Sequence, residues 1–118
     1  MKREQLQFND PLDCVRQIRR WRQWEDANLP VYATQLGRDF MLLLAQLRLE
    51  GRPFSLKEIY LSLPYSENGI RQHLQKLERA GWLKLTSPEG DKRFKSIIPH
   101  AKLDQALTKY VEILMSTR

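Results

Sequence analysis

The side chains best suited to binding chemistry lie in residues 66–79, SENGIRQHLQKLER. Ile70, Leu74 and Leu77 recur at the spacing that places apolar residues on one face of a helix. The opposite face then carries amide and guanidinium groups, which supply the hydrogen-bond donors and acceptors that base edges and phosphates require. This segment therefore predicts a helix with one buried face and one polar face suited to nucleic acid. The residues of the polar face are Asn68, Arg71, Gln72, Gln75 and Arg79.

The segments before and after this helix predict how it is held. Residues 55–63, SLKEIYLSL, predict a short helix that Ser55 caps and Pro64 ends. Ser66 is the expected N-cap of the polar helix, which we expect to run from residue 67 to about residue 80 and to stop at Gly81. Two helices joined by so short a turn must cross steeply, as in a helix-turn-helix unit.

A strand, a turn and a second strand are predicted to follow directly. Residues 82–86, WLKLT, alternate as a strand does, and residues 87–90, SPEG, have the composition of a type I turn. Residues 93–98 would form the return strand. A basic tip at a hairpin is often only a solvated loop, but here it directly follows the polar helix. The basic residues at or beside the tip are Lys92, Arg93 and Lys95.

A helix is predicted near the start of the chain, over residues 11–28. Asp10 is its expected N-cap and a proline occupies its first position. Leu12, Val15 and Ile18 form an apolar stripe, through which we expect the helix to pack while its arginines stay in solvent. The alternative is that this basic, tryptophan-bearing helix contacts phosphates or a membrane surface.

Two further helices are predicted to complete the fold. The first runs from Thr34, its N-cap, to about Glu50, and Leu42 and Leu49 widen its apolar arc enough to predict burial from more than one side. The last is predicted over residues 99–116, beginning at a proline. Its apolar stripe is close to heptad spacing, which is typical of a helix packed on its own core or paired with a second copy.

Composition limits the classes of function. The chain has 118 residues, which is the size of one domain, and a net charge of +6, which favours a polyanionic partner, nucleic acid ahead of an anionic membrane. Solubility alone is the alternative reading of that charge. The single cysteine, Cys14, excludes an internal disulfide and fits a reducing, cytoplasmic setting. No apolar run approaches the roughly 20 residues that span a bilayer, and residues 1–11 lack a signal-peptide core.

Catalysis has little support in the sequence. The two histidines are His73 and His100, and His73 lies beside the apolar stripe of the polar helix, where a core-edge role is expected. No nucleophile–base set, phosphate-binding glycine loop or metal-ligand cluster is visible. We therefore expect no enzyme activity and no cofactor.

The order of the predicted elements over residues 30–114 resembles that of the MarR-like winged-helix transcription regulators. The segment SENGIRQHLQKLERAGWL is similar to their recognition segment, and Asp91-Lys92-Arg93 resembles the Asp-x-Arg signature of their wing. This resemblance implies a single, mainly α domain with a small β-hairpin wing, in which a winged helix-turn-helix (30–98) lies between an N-terminal arm and helix (1–29) and a C-terminal helix (99–118). It also implies a homodimer held by the terminal helices. Gly69, inside the recognition helix, would either let a DNA backbone approach closely or avoid a clash with Tyr60.

The leading hypothesis is a homodimeric, sequence-specific regulator that binds duplex DNA, with its recognition helix in the major groove and its wing at the minor groove. One alternative is a winged-helix module for protein interaction or assembly. Another is a DNA-binding replication or mobile-element protein. In the leading hypothesis the base-reading residues are Asn68, Arg71, Gln72 and Gln75, the phosphate-binding residues are Ser66, Lys76 and Arg79, and the wing residues are Lys92, Arg93 and Lys95.

Binding of a small-molecule effector is left open by the sequence. Trp21, Trp24, Tyr32 and Trp82 would line a pocket between the dimer helices and the DNA-binding lobe, as the family resemblance suggests. Aromatic residues in a chain of this size are more often ordinary core.

Overall fold

The computed structural model of the chain describes residues 10–86 and 95–116, which form five helices and two strands. The strands pair antiparallel, from Leu83 opposite Pro99 to Thr86 opposite Ser96. A mainly helical fold with a small antiparallel hairpin, as predicted, is thus confirmed. The elements are α1 (Pro11–Asn28), α2 (Gln35–Leu49), α3 (Leu56–Ser62), α4 (Glu67–Arg79), β1 (Leu83–Thr86), β2 (Ser96–Pro99) and α5 (Ala101–Met115).

Local hydrogen bonds account for where most helices begin. The side chain of Asp10 accepts a hydrogen bond from the backbone N–H of Asp13, at 2.8 Å. Thr34 and Ser66 cap α2 and α4 in the same way, three residues ahead of the N–H that each accepts. Each cap satisfies an N–H that has no partner inside the helix. The predicted starts of these three helices are confirmed.

The start of α5 differs from the prediction. Pro99 is the last residue of β2, opposite Leu83, and does not begin a helix. His100 is the N-cap instead, and its Nδ1 accepts a hydrogen bond from the backbone N–H of Lys102 at 3.0 Å. The return strand accordingly covers Ser96–Pro99, one residue beyond its predicted end.

The core is built around α2. Phe40, Met41 and Leu44 are fully buried, and burial of each such side chain contributes about 1.5–3 kcal/mol. The prediction that this helix is buried from more than one side is wrong within a single copy of the chain, because Leu42 is 48% and Leu49 is 70% exposed. The other described helices cover only part of the apolar arc.

The packing of α1 also differs from the prediction. Its apolar stripe is not buried against the other described elements, because Leu12, Val15 and Ile18 are all exposed. The helix is held instead by its C-terminal half, where the ring of Trp24 stacks on that of Tyr110 in α5 with the ring centroids 6.0 Å apart. In the part of the chain that the structure describes, no helix is long and apolar enough to cross a membrane.

Candidate nucleic-acid interface

One face of α4 is buried in the core and the other is open. Ile70, Leu74 and Leu77 are at most 1% exposed, so this face anchors the helix against the core. The structure places four of the predicted site residues together on the open face, where no described element covers them. These residues are Asn68, Arg71, Gln72 and Gln75.

The turn that precedes α4 is fixed to the core. Leu63, at the end of α3, is buried. The hydroxyl of Tyr65 donates a hydrogen bond of 2.5 Å to Oδ2 of Asp39 in α2, and this bond raises the pKa of Tyr65 above its ordinary value. The turn therefore holds the first residues of α4 at a defined place relative to α2.

Arg71 forms an ion pair along the open face of α4. Its guanidinium donates to Oε1 of Glu67, one helical turn earlier, at 3.2 Å, and both side chains are about half exposed or more. Exposed pairs at this spacing contribute about 0.3–0.5 kcal/mol. A guanine or a phosphate group can therefore displace the carboxylate at little cost. The pair also makes this end of the face less positive than Arg71 alone would.

The predicted phosphate-binding residues lie at the edge of this face. The hydroxyl oxygen of Ser66 is already the N-cap acceptor for Gly69, which leaves its hydroxyl proton to donate. The ammonium of Lys76 lies 4.7 Å from the ring centroid of Tyr32. Lys76 and Arg79 line a groove of about 340 Å³ between α4 and the start of α2.

A second groove, of about 480 Å³, separates α3 and α4 from the strands. Arg71, Gln75 and Lys95 line it together with Lys57, an exposed residue of α3 that sequence reasoning did not select. The signal for Lys57 was its position next to the inward-facing Leu56, which puts it on the outer side of α3. Lys95 is exposed, whereas Lys92, Arg93 and the predicted turn at residues 87–90 lie outside the described residues.

Two residues near this surface have structural roles. Oε2 of Glu78 accepts a hydrogen bond of 3.0 Å from the backbone N–H of Leu85, which joins the end of α4 to β1. A Cβ atom at Gly69 would lie 3.1 Å from Oγ of Ser66 and 3.8 Å from Cδ1 of Leu36, and no atom of Tyr60 lies within 4 Å of it. The explanation of Gly69 by a clash with Tyr60 is therefore wrong.

The four aromatic residues proposed to line an effector pocket have separate neighbours. Trp21 donates its indole N–H to the backbone carbonyl of Ile113, and Trp24 stacks on Tyr110. Tyr32 meets the ring of His73 edge-on, and the ring of Trp82 lies beneath the ammonium of Lys102. None of these contacts joins one of the four rings to another.

His73 is the buried titratable group of α4. It is 7% exposed, which confirms the core-edge prediction, and its ring lies edge-on to Phe40 with centroids 5.3 Å apart. Its Nε2 atom is buried without a hydrogen-bond partner among the described residues. Burial, together with the smaller effect of the nearby positive charge of Lys76, lowers the pKa of His73 to about 4. His73 is therefore neutral at neutral pH.

We expect this histidine to make folding stability depend on pH. The unfolded chain binds a proton at a pKa near 6.5 and the folded chain only near 4, so stability is complete above pH 6.5 and is lost as the pH falls toward 4. The expected loss is on the order of 2–3 kcal/mol in the free energy of unfolding. Urea titrations at several pH values should show that His73→Phe removes this component. His100→Asn, which keeps a capping side chain, is the control, and identical pH profiles for wild type and His73→Phe would contradict the prediction.

The described geometry defines a mainly helical domain that presents one amide- and arginine-bearing helix face beside two basic grooves. No protein-family model matches this chain, and no curated protein matches it. Within residues 10–86 and 95–116, no group of three or more His, Cys, Asp and Glu side chains is placed to hold a metal ion. The open face of α4 is therefore the described feature whose chemistry best indicates a ligand.

Proposed function

We propose that this chain is a sequence-specific transcriptional regulator that binds duplex DNA and has a winged helix-turn-helix architecture. In this proposal α3 and α4 form the helix-turn-helix, β1 and β2 belong to the wing, and two copies associate through α1 and α5. The observation that carries the proposal is the open face of α4 opposite its buried apolar face. A helix with side chains is about 10–12 Å across, which fits a major groove of about 12 Å.

Each residue type on this face has a matching partner on DNA. The guanidinium of Arg71 can bond N7 and O6 of guanine together, and the amides of Asn68, Gln72 and Gln75 can bond adenine in the same two-point way. Phosphate contacts from the groove edges would fix the position of α4 without reading sequence. The residues assigned to phosphates are Ser66, Lys76, Arg79 and Lys57, and those assigned to the wing at the minor groove are Lys92, Arg93 and Lys95.

A second candidate is a module for protein interaction or assembly. The observation that favours it is the ion pair between Arg71 and Glu67, which reduces the positive charge of the open face. A fold of this kind does not by itself determine a function. The two candidates differ in whether the protein binds random duplex DNA at low salt.

An electrophoretic retardation assay followed by selection of binding sites tests the proposal. If each dimer contacts about 6–10 phosphates, affinity should fall by about 10³–10⁵-fold between 50 and 200 mM salt. A palindromic selected site would support a dimer, because the symmetry of the site mirrors that of the protein. Absence of any shift at micromolar protein and low salt would reject DNA binding and favour the interaction module.

Arg71→Ala tests the base-reading role of α4 directly. We expect the variant to bind the selected site more weakly by about 1–3 kcal/mol and to accept other bases at one position, because the two-point contact to guanine is lost. Lys109→Ala removes the same charge from an exposed site on α5 and should change affinity far less. Repeating the selection with both variants gives the measurement. An unchanged base preference for Arg71→Ala would remove Arg71 from the base-reading set.

A further inference from the structure

Most of the large apolar side chains that the described chain exposes belong to two patches. The first is the α1 arm, residues 11–18, which exposes Leu12, Val15 and Ile18. The second is the α2–α5 groove, which contains the exposed residues Leu42, Leu49 and Met115 and is lined further by Val111 and Leu114. Contiguous exposed apolar patches mark interaction sites on soluble proteins.

The α1 arm extends past the end of α5. The Tyr110 hydroxyl contacts Glu25 and the Trp21 indole contacts the Ile113 carbonyl, so the two helices run antiparallel. Each step toward the start of α1 is therefore a step toward Met115, where α5 ends. Because Trp21 lies level with Ile113, residues 11–16 extend past Met115.

The α2–α5 groove opens at the same end of the molecule. Arg48 pairs with Asp104 near the start of α5, whereas Leu42 and Met115 line the groove near its end. The groove holds about 370 Å³. From Leu42 to Leu49 it is about 10 Å long, and the arm stripe from Leu12 to Ile18 is about 9 Å long. The two patches therefore match in length and lie at the same end of the folded molecule.

The charges beside the two patches are opposite. Arg16 lies within the arm and Arg19 directly after it. Neither forms an ion pair among the described residues. Glu50 lines the groove and pairs with Arg52, and Glu112 lines an adjoining pocket that shares Leu49 and Val111 with the groove. Glu112 has no ion-pair partner among the described residues. An arm placed in the groove would bring arginines beside these carboxylates.

We propose that two copies of this chain exchange their α1 arms, so that the arm of each copy lies in the α2–α5 groove of the other. Because α1 is straight, its arm cannot bend back into the groove of the same chain. A two-fold axis near the end of α5 would relate the two copies so that each arm lies in the other copy's groove. The exchange also covers the apolar residues of α2 that the single chain leaves exposed. The inference rests on the homodimer of the proposed function, but it leaves the α4 face free and is tested without DNA.

Site-specific cross-linking tests which surfaces meet. In a Cys14→Ser background, Val15→Cys and Leu49→Cys proteins are purified separately and treated with a short bis-maleimide, alone and mixed. We expect a cross-linked dimer only in the mixture. Val15→Cys mixed with Lys109→Cys, which lies outside both patches, is the control and should stay uncross-linked. Cross-linking of Val15→Cys alone would indicate arm-to-arm contact, and no cross-link in the mixture would mean that arm and groove do not meet; either result overturns the exchange.

Sedimentation measurements on charge variants test the same contact independently. Arg19→Glu and Glu112→Arg should each raise the dimer dissociation constant, by about tenfold, and the combined variant should restore most of the affinity. Circular dichroism spectra identical to that of wild type show that the variants remain folded. A wild-type protein that stays monomeric at high micromolar concentration overturns the proposal. Duplex binding by such a monomer would leave the proposed DNA contact standing.

Discussion

The Gly37→Ala variant is expected to lose about 3 kcal/mol of folding stability. A Cβ atom at Gly37 would lie 2.2 Å from the backbone oxygen of Val31 and 2.7 Å from its Cα. These are backbone atoms, so the clash cannot be relieved by rotation of a side chain. Since small domains are stable by only about 5–15 kcal/mol, the loss should be obvious in thermal or urea unfolding.

The turn that Gly37 contacts has little freedom to move away. The carbonyl of Val31 accepts hydrogen bonds from the hydroxyl and the backbone N–H of Thr34, at 2.8 and 3.1 Å. Tyr32 and Ala33 between them have φ values of 54° and 53°, in the left-handed region that non-glycine residues rarely adopt. Val31 itself is fully buried. Relief of the clash would therefore require both the core and this turn to rearrange.

Gly69→Ala is a closely matched control. Gly69 is the third residue of α4 as Gly37 is of α2, and each donates its N–H to the N-cap side chain. A Cβ at Gly69 would be 3.1 Å from a side-chain oxygen, which can shift by a few tenths of an ångström. Alanine also favours a helix interior over glycine by about 1 kcal/mol. We expect a change within about 1 kcal/mol, and equal losses for the two variants would contradict the account of Gly37.

Glu25→Ala is expected to cost about 3–5 kcal/mol in the free energy of unfolding. The Glu25 side chain is 1% exposed, and its carboxylate accepts hydrogen bonds from the Tyr110 hydroxyl at 2.5 Å and from Arg22 at 3.0 Å. Nε of Arg38 lies 3.6 Å away. Burial raises the pKa of Tyr110, and the bond to Glu25 raises it further, so the phenol stays a donor. Removal of the carboxylate leaves the buried Tyr110 hydroxyl without its acceptor and takes one of two carboxylate partners from the largely buried Arg38 guanidinium.

The neighbouring carboxylate provides the control for this prediction. Asp26 also pairs with Arg38, at 2.8 Å, but its side chain is 41% exposed. Water can replace its contacts, so Asp26→Ala should cost less than about 1 kcal/mol. Tyr110→Phe combined with Glu25→Ala should cost less than the two single losses added together, because the two groups share one hydrogen bond. Urea unfolding of the four variants measures these losses in the free energy of unfolding. Similar losses for Glu25→Ala and Asp26→Ala would contradict a buried charge network at Glu25.

Much of the helical framework could be predicted because it is set locally. Asp10, Thr34 and Ser66 each satisfy an N–H three residues away, and these contacts depend only on neighbouring sequence. The open face of α4 was predictable for the same reason, since helical periodicity alone separates it from Ile70 and Leu74. What that face binds is not given by periodicity and remains a proposal.

The tertiary structure decided what periodicity could not. The stripe of α1 predicted burial, but the offset between α1 and α5 leaves that stripe exposed and buries Glu25 instead. Contacts such as Trp21 with Ile113 join residues 92 positions apart, and no local pattern encodes such an offset. Pro99 likewise satisfied the local rule for a helix start, yet its pairing with Leu83 made it the end of a strand. The sequence alone determined where most helices begin and which way the polar face of α4 points. Long-range packing determined which apolar surfaces are covered, because burial depends on how distant elements align.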